Sequence, residues 1–353
     1  MTRQVIAGGV KIGGGAPVTV QTMTNTDTRD LEATSAQIKR LAQAGADIVR
    51  VSVFDEACAD NVRALVDASP VPLVADIHFD YRLAVRSIEN GISKLRINPG
   101  NIGGEARVRI LADCLKAHHI PVRVGVNAGS LEKDILAKYG GVTPEAMVES
   151  ALGHVKMLEK CGFYDVVISM KAPDVKRTIE SYRLAARTCD YPLHVGVTHA
   201  GSVGMGQIKS AIGIGALLAD GIGDTIRVSL TGDPQPEVAA GIDILRAVGL
   251  RGGVDVIACP TCGRTCIDVE GIARRVEEAT RSIKADLKVA VMGCVVNGPG
   301  ESKEADIGIA GGHNGGALFV KGEEPRPVRG DLFEALMAEI EKKMGNGEWG
   351  MGN

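Results

Sequence analysis

Eight times between Val18 and Leu230, a short run rich in valine and isoleucine gives way to a stretch with helical spacing. The runs are Val18–Thr22, Asp47–Val53, Pro72–His78, Lys94–Asn98, Val122–Val126, Asp165–Met170, Leu193–Thr198 and Thr225–Leu230. Short apolar strands, each followed by an amphipathic segment, are the cue for βα units. In DLEATSAQIKRLAQAG, for example, Leu31, Ile38 and Leu41 recur at helical spacing and Gly45 supplies the stop. Aromatic residues make up only 3% of the chain, so the core is aliphatic, as suits a parallel sheet covered by helices. Eight successive units predict a (β/α)8 barrel, with an open doubly wound sheet as the alternative.

Chemistry in such a barrel gathers at the carboxyl ends of the strands. Those ends are polar and mostly cationic here. The second run carries Arg50 and Ser52, the third Asp76 and His78, and the fourth Arg96, Asn98 and Asn101. The fifth carries Arg123, Asn127 and Ser130, and the sixth Ser169 and Lys171. The seventh carries His194, Thr198 and His199, and the eighth Arg227, Ser229 and Thr231. One reading turns these cations outward, to pair with helix carboxylates. The other turns Arg50, Arg96, Arg123 and Lys171 into the barrel, where burial is costly unless an anion meets them. Their joint presence predicts a multiply charged anion, most simply a diphosphate, gripped by forked guanidinium contacts. After the seventh run, GSVGMGQIKSAIG places Gly201, Gly204 and Gly206 ahead of a helix expected to begin near Gln207. Its N–H groups suit a phosphate. The order of glycines is not that of a dinucleotide fingerprint, so neither NAD nor flavin is expected.

The repeat stops at LRAVGLRGGVDVIACPTCGRTC. The expected division is a barrel over 1–247, a linker over 248–253 and a small α+β module over 254–345. The module reads as a strand (254–258), a cysteine loop, a helix (268–284), a strand (287–292), a glycine-rich loop, two short strands and a terminal helix (330–343). The closing GNGEWGMGN reads as a mobile tail.

Cys259 and Cys262 form a Cys-x2-Cys pair at a strand end, Cys294 follows another apolar strand, and Glu301 comes seven residues later. Such a pair is a metal signal. Cys259, Cys262, Cys266 and Cys294 could enclose zinc. Alternatively, three thiolates and one oxygen ligand suit an iron–sulfur cluster with one exchangeable iron. The remaining four cysteines, Cys58, Cys114, Cys161 and Cys189, fall in expected helices or at their ends and read as buried small residues.

The formal net charge of −3 gives no general basic field, which argues against nucleic acid. No apolar run serves as a signal peptide or a membrane span; the longest, Ser210–Gly223, is broken by Asp220 and glycines. A cytoplasmic location is expected, where thiols stay reduced and a tight cysteine group binds metal rather than forming disulfides.

Taken together, VQTMTNT, ADIVRVSV, VADIHFDYRLA, LRINPGNIG, VRVGVNAGSLEKD, GIGDTIRVSL, CPTCGR and GCVVNGPGE resemble the bacterial 4-hydroxy-3-methylbut-2-en-1-yl diphosphate synthases. The resemblance runs from about residue 4 to residue 310 and is looser beyond. It implies a TIM barrel followed by an α+β iron–sulfur domain. It implies reductive ring opening and dehydration of 2-C-methyl-D-erythritol 2,4-cyclodiphosphate, a late step of the methylerythritol phosphate route to isoprenoids. It implies a [4Fe–4S] cluster on Cys259, Cys262, Cys294 and Glu301, fed by reduced flavodoxin or ferredoxin. Arg96, Asn98, Arg123, Asn127, Lys171 and Thr198 fall on family positions that contact the substrate, beside Arg50. The family is a homodimer in which the cluster of one chain closes over the barrel mouth of the other.

Two positions depart from the family pattern. Where the family usually has G-V-T-E-A-G this chain has GVTHAG, so His199 stands in place of an acidic residue associated with proton delivery. Histidine also donates protons near neutral pH. Cys266 is the second departure and is expected not to be a ligand.

Overall fold

The computed structural model describes residues 1–198, 201–294, 305–312 and 314–345. The chain forms two compact units, Met1–Leu250 and Arg251–Asn353. Among the described residues, no helix is long and apolar enough to cross a membrane.

The first unit opens with a hairpin of β1 (Gln4–Ala7) and β2 (Val10–Gly13), paired antiparallel with Ala7 opposite Val10. The strand readings above begin only at Val18, so this hairpin was missed. Its signal is the two-residue Gly8-Gly9 turn, in which both φ angles are positive (54° and 91°), as tight hairpin turns demand.

Eight parallel strands follow: β3 (Thr19–Met23), β4 (Ile48–Ser52), β5 (Leu73–Asp76), β6 (Lys94–Ile97), β7 (Val122–Asn127), β8 (Val166–Lys171), β9 (His194–Val195) and β10 (Thr225–Ile226). Each of the eight lies within or beside a run expected from sequence. The sheet order is β8-β7-β6-β5-β4-β3-β10-β9. A parallel bridge between Ile168 and Leu193, with the Ile168 N–H donating to the Pro192 carbonyl at 2.8 Å, joins its two ends. The sheet is therefore a closed barrel, not an open doubly wound one.

Helices α1 (Leu31–Gln43), α2 (Glu56–Ala68) and α3 (Tyr81–Glu89) follow the first three barrel strands. After β6 come the single turn α4 (Pro99–Ile102) and α5 (Gly104–His118). After β7 come α6 (Lys133–Tyr139) and α7 (Pro144–Glu159), and then α8 (Val175–Thr188), α9 (Val203–Ala219) and α10 (Gln235–Ala247) complete the ring. Aspartate caps recur: Asp30, Asp55, Asp80 and Asp174 each accept a backbone N–H from the first turn of α1, α2, α3 and α8. Each such cap satisfies an otherwise orphaned donor and contributes about 1 kcal/mol. Ile38 and Leu41 of α1 are buried as expected, but Leu31 is exposed, because the first residue of the helix lies beyond the edge of the sheet it covers. Helix α9 begins at Val203, earlier than Gln207, because the Gly206 N–H already donates to the Ser202 carbonyl at 2.7 Å. Cys58 is buried on α2, whereas Cys114, Cys161 and Cys189 are only partly buried against the core, at or near helix ends where the cover is thinner.

The second unit is a five-stranded sheet in the order β11 (Val254–Ala258), β12 (Leu287–Met292), β13 (Ile307–Gly312), β14 (Gly315–Val320), β15 (Arg326–Val328). The first three strands are parallel and the last two are antiparallel additions. Three strands thus follow β12 rather than two, because Arg326–Val328 pairs with β14 despite its proline at the edge. Helices α11 (Val269–Thr280) and α12 (Leu332–Gly345) bury Val276, Leu336 and Ile340 against Val289, Val291, Ile307 and Ile309. Helix α11 stops at Thr280, short of 284, where the Thr280 hydroxyl turns back to donate to the Val276 carbonyl.

Candidate functional site

Alternation along a strand sends successive side chains to opposite faces. In this barrel Val49, Val51, Leu73, Ala75, Leu95, Ile97, Val122 and Val124 pack outward into the core beneath the helices. The opposite parity therefore faces inward, and it includes Arg50, Asp76, Arg96, Arg123 and Lys171. The inward reading of the cations holds. At the amino end of the barrel the same parity carries Ile48, Val74 and Val167, which pack with Val5, Ala7 and Ile12 of the hairpin. At that end Lys94 is the charged exception, and the other charged groups lie toward the carboxyl end.

Asp76 is the counter-charge of the interior. Its Oδ1 lies 3.1 Å from Arg96 Nη1, its Oδ2 3.7 Å from Arg50 Nε, and the same Oδ2 3.7 Å from His78 Nε2. Burial by itself would raise the Asp76 carboxyl; Arg50, the neighbouring His78 ring, Arg96 and Arg123 overcome it and hold the group far below the usual carboxylate range. Arg50 is pulled down to about 10 by burial, with Arg227 and Arg96 acting in the same direction and Asp76 against. Arg50 also directs Nε and Nη2 at the Met23 sulfur, at 3.1 and 2.8 Å, and Arg227 Nη1 reaches the same sulfur at 3.7 Å. A thioether is a weak acceptor, so the Met23 contact leaves the Arg50 guanidinium most of its capacity for an anion.

The other cations are less well compensated. Lys171 is driven well below its ordinary value by burial and by Arg227, Arg50, Arg123 and Arg96. Lys94, inward at the start of β6, is likewise pushed down by burial, Arg123 and Arg50, and its ammonium donates to Gln21 Oε1 at 3.1 Å. Arg123 is 1% exposed, yet its Nε and Nη1 find no acceptor among the described residues. Both ring nitrogens of buried His194 are also without a partner among the described residues. Burial together with Arg123, Lys171, Lys94 and Arg50 keeps that ring neutral. Buried donors without acceptors cost about 1–3 kcal/mol each, and more when charged. A polyanion would meet this concentration of donors.

Two glycines make room. A β-carbon at Gly125 would stand 2.8 Å from Arg96 Nε, so β7 needs glycine there for the guanidinium to lie across it. A β-carbon at Gly100 would stand 2.6 Å from the His154 ring. Asn98, 6% exposed, caps α4 by accepting the Gly100 N–H at 3.1 Å through Oδ1, which leaves its Nδ2 as a donor. Asn127 and Thr198 are half-buried, at and beyond the carboxyl ends of β7 and β9. His199, the expected proton donor, lies outside the described residues.

In the second unit β11 and β12 run parallel, with Ala258 opposite Val291. Cys259 and the Gly293-Cys294 pair therefore leave adjacent strand ends. The Cys259 sulfur accepts the Gly293 N–H at 3.1 Å, and the Cys266 N–H donates to the Gly293 carbonyl at 2.9 Å, so this glycine pins the cysteine loop. Between Cys262 and Thr265 a tight turn forms, in which the Cys262 N–H donates to Thr265 Oγ1 at 3.0 Å. Cys266 is exposed, and its thiol donates to the Arg264 carbonyl at 3.2 Å. No three His, Cys, Asp or Glu side chains among the described residues converge as a metal site, and Glu301 lies outside those residues. The donor set nevertheless fits an iron–sulfur group. The cysteines are not disulfide-bonded, and thiolates are the ligands that such groups require.

Sequence reasoning passed over Met23, Gln21, Lys94 and Glu237. Glu237 is 4% exposed, at the start of α10, and accepts from Arg227 Nη2 at 3.3 Å and from the Leu230 N–H at 2.9 Å. Strict parity would have found three of the four, since Gln21, Met23 and Lys94 fall in phase with Arg50 and Arg96 by pairing register.

The model of the GcpE TIM-barrel domain matches residues 2–242, and that of the GcpE protein C-terminal domain matches residues 255–342. The chain is 60% identical over 344 residues to the 4-hydroxy-3-methylbut-2-en-1-yl diphosphate synthase (flavodoxin) of Caldanaerobacter subterraneus, with 97% of each chain covered. It is 56% identical over 342 residues to the enzyme of that name from Clostridium perfringens, covering 96% of this chain and 98% of that one. Among solved structures, an N-acetylneuraminic acid synthetase from Leptospira borgpetersenii aligns over 80% of this chain and 98% of its own, with a TM-score of 0.51 at 13% identity, a likeness of fold alone. With both domain models matched in order and more than half of the residues shared with these relatives, the chain belongs to the GcpE family of 4-hydroxy-3-methylbut-2-en-1-yl diphosphate synthases.

Proposed function

We propose that this chain catalyses the reductive ring opening and dehydration of 2-C-methyl-D-erythritol 2,4-cyclodiphosphate to the linear 4-hydroxy-3-methylbut-2-enyl diphosphate. The change consumes two electrons and two protons, opens the cyclic diphosphate at a carbon–oxygen bond and releases one hydroxyl as water. One observation carries the reading for this chain: Arg50, Arg96, Arg123 and Lys171 gather in the barrel interior, with Asp76 and the Arg227-bound Glu237 as counter-charges among the described residues. We assign the diphosphate to these four cations together with Asn98, Asn127 and Thr198. Forked guanidinium contacts orient it, and the Asn98 amide adds a donor.

We assign Cys259, Cys262, Cys294 and Glu301 as ligands of a [4Fe–4S] cluster, which when bound supplies the electrons. Three thiolates and a carboxylate leave one iron open to exchange. Cys266 is outside this set, its thiol engaged with the Arg264 carbonyl. His199 takes the proton-donating role or leaves it to bound water. The relatives carry flavodoxin in their names, and we assign reduced flavodoxin or ferredoxin as the electron donor. We also assign a cytoplasmic homodimer whose active site is shared between chains.

The test is anaerobic purification, a visible spectrum, and turnover of the cyclic diphosphate with reduced flavodoxin. A brown protein that converts the substrate is expected. A colourless protein with stoichiometric zinc, or a brown one that neither binds nor converts the cyclic diphosphate, overturns the reading.

A further inference from the structure

Asn98 opens the loop after β6, and Asn127 is the last residue of β7, where the next loop departs. Behind both stands helix α7. Glu132, just before α6 on the second loop, directs Oε1 to 2.9 Å from His154 Nε2 and accepts the Ser150 hydroxyl through Oε2 at 2.7 Å. Ser150 and His154 are one helical turn apart on α7 and are both buried. The same His154 ring lies against Gly100, whose N–H is held by the Asn98 side chain. One carboxylate and one imidazole therefore connect the two loops through a single rigid helix. Burial lowers the proton affinity of His154 and Glu132 opposes it, and in either protonation state Nε2–H can donate to the carboxylate.

We propose that Glu132 and His154 are positioning residues for the anion site, a strut that fixes the loop carrying Asn98 against the loop that leaves β7 at Asn127. The proposal rests on the assignment of those asparagines to the diphosphate. Neither Glu132 nor His154 is placed at the reacting atoms. They act by holding two donors at a fixed separation, and small displacements of such donors weaken anion binding strongly.

The full-length holoenzyme is tested by steady-state kinetics with the cyclic diphosphate and by thermal melting. Glu132→Ala is expected to raise KM about tenfold, with a smaller change in kcat. Glu132→Gln is expected to restore most of the loss, because an amide can still accept from His154 and donate to Ser150. Should the alanine variant fail to fold, Glu132→Asp keeps the charge but shortens the reach by one methylene and is expected to raise KM likewise. A lowered melting temperature with unchanged KM in the alanine or aspartate variant overturns the proposal, as does a glutamine variant no better than alanine. Arg123→Met separates the two readings. If it leaves KM unchanged, the diphosphate assignment fails; if it raises KM while the Glu132 variants do not, the strut alone fails.

Discussion

Nη1 of Arg96 lies 3.1 Å from Oδ1 of Asp76, and both side chains are buried inside the barrel. Removing one partner of such a pair strands the other, which typically costs about 3–5 kcal/mol. Asp76→Asn is therefore expected to lower unfolding stability by that order at neutral pH in denaturant titrations. The native Asp76 carboxyl titrates below its unfolded counterpart. Its stabilisation is fully present above the unfolded value and is lost as the pH falls toward the native one. The gap between wild type and variant should thus close as the pH drops below about 4.

Gly125 bears on the same arginine from the next strand. A methyl group there meets Arg96 Nε at 2.8 Å, so Gly125→Ala must displace the guanidinium. Overpacking of this kind costs about 1–3 kcal/mol, and here the strain falls on an arginine assigned above to the diphosphate. The expected result is a KM raised about tenfold with the fold retained, read from kinetics beside a circular-dichroism melt.

Proton uptake is a third expectation. Lys171 is held well below its ordinary value by burial and by four neighbouring arginines. A diphosphate between them reverses the sign of that field and restores the ammonium. Calorimetry of inorganic diphosphate binding, in buffers of different ionisation heat, should show protons taken up. Affinity should fall as the pH rises between the depressed and the restored values. Lys171→Met should weaken binding about 10- to 100-fold, as for loss of one charge-assisted hydrogen bond, and should reduce the uptake.

The cysteine loop offers a fourth. Iron per chain, measured after anaerobic purification, should be unchanged in Cys266→Ser and largely lost in Cys259→Ser. Cys259 already accepts the Gly293 N–H, whereas the Cys266 thiol donates to a carbonyl of its own turn.

The barrel was legible because its outward strand faces are continuous aliphatic rows that recur eight times, a periodic signal carried by many residues at once. Arg50, Arg96, Arg123 and Lys171 were legible because arginine and lysine are conspicuous at strand ends. The β1–β2 hairpin was not, since each of its strands has only four residues and its glycines read equally well as a loop. The inward phase of Gln21, Met23 and Lys94 depends on pairing register, which single strands do not announce. The tie between Glu132 and His154 joins residues 22 positions apart through packing of α7, and no local pattern encodes such a contact.

The hairpin across the amino end has a consequence for traffic. Val5, Ala7 and Ile12 pack against Ile48, Val74 and Val167, so among the described residues apolar side chains cover the amino end of the barrel. An anion is therefore expected to reach Arg50, Arg96 and Arg123 from the carboxyl end of the strands, and to leave the same way.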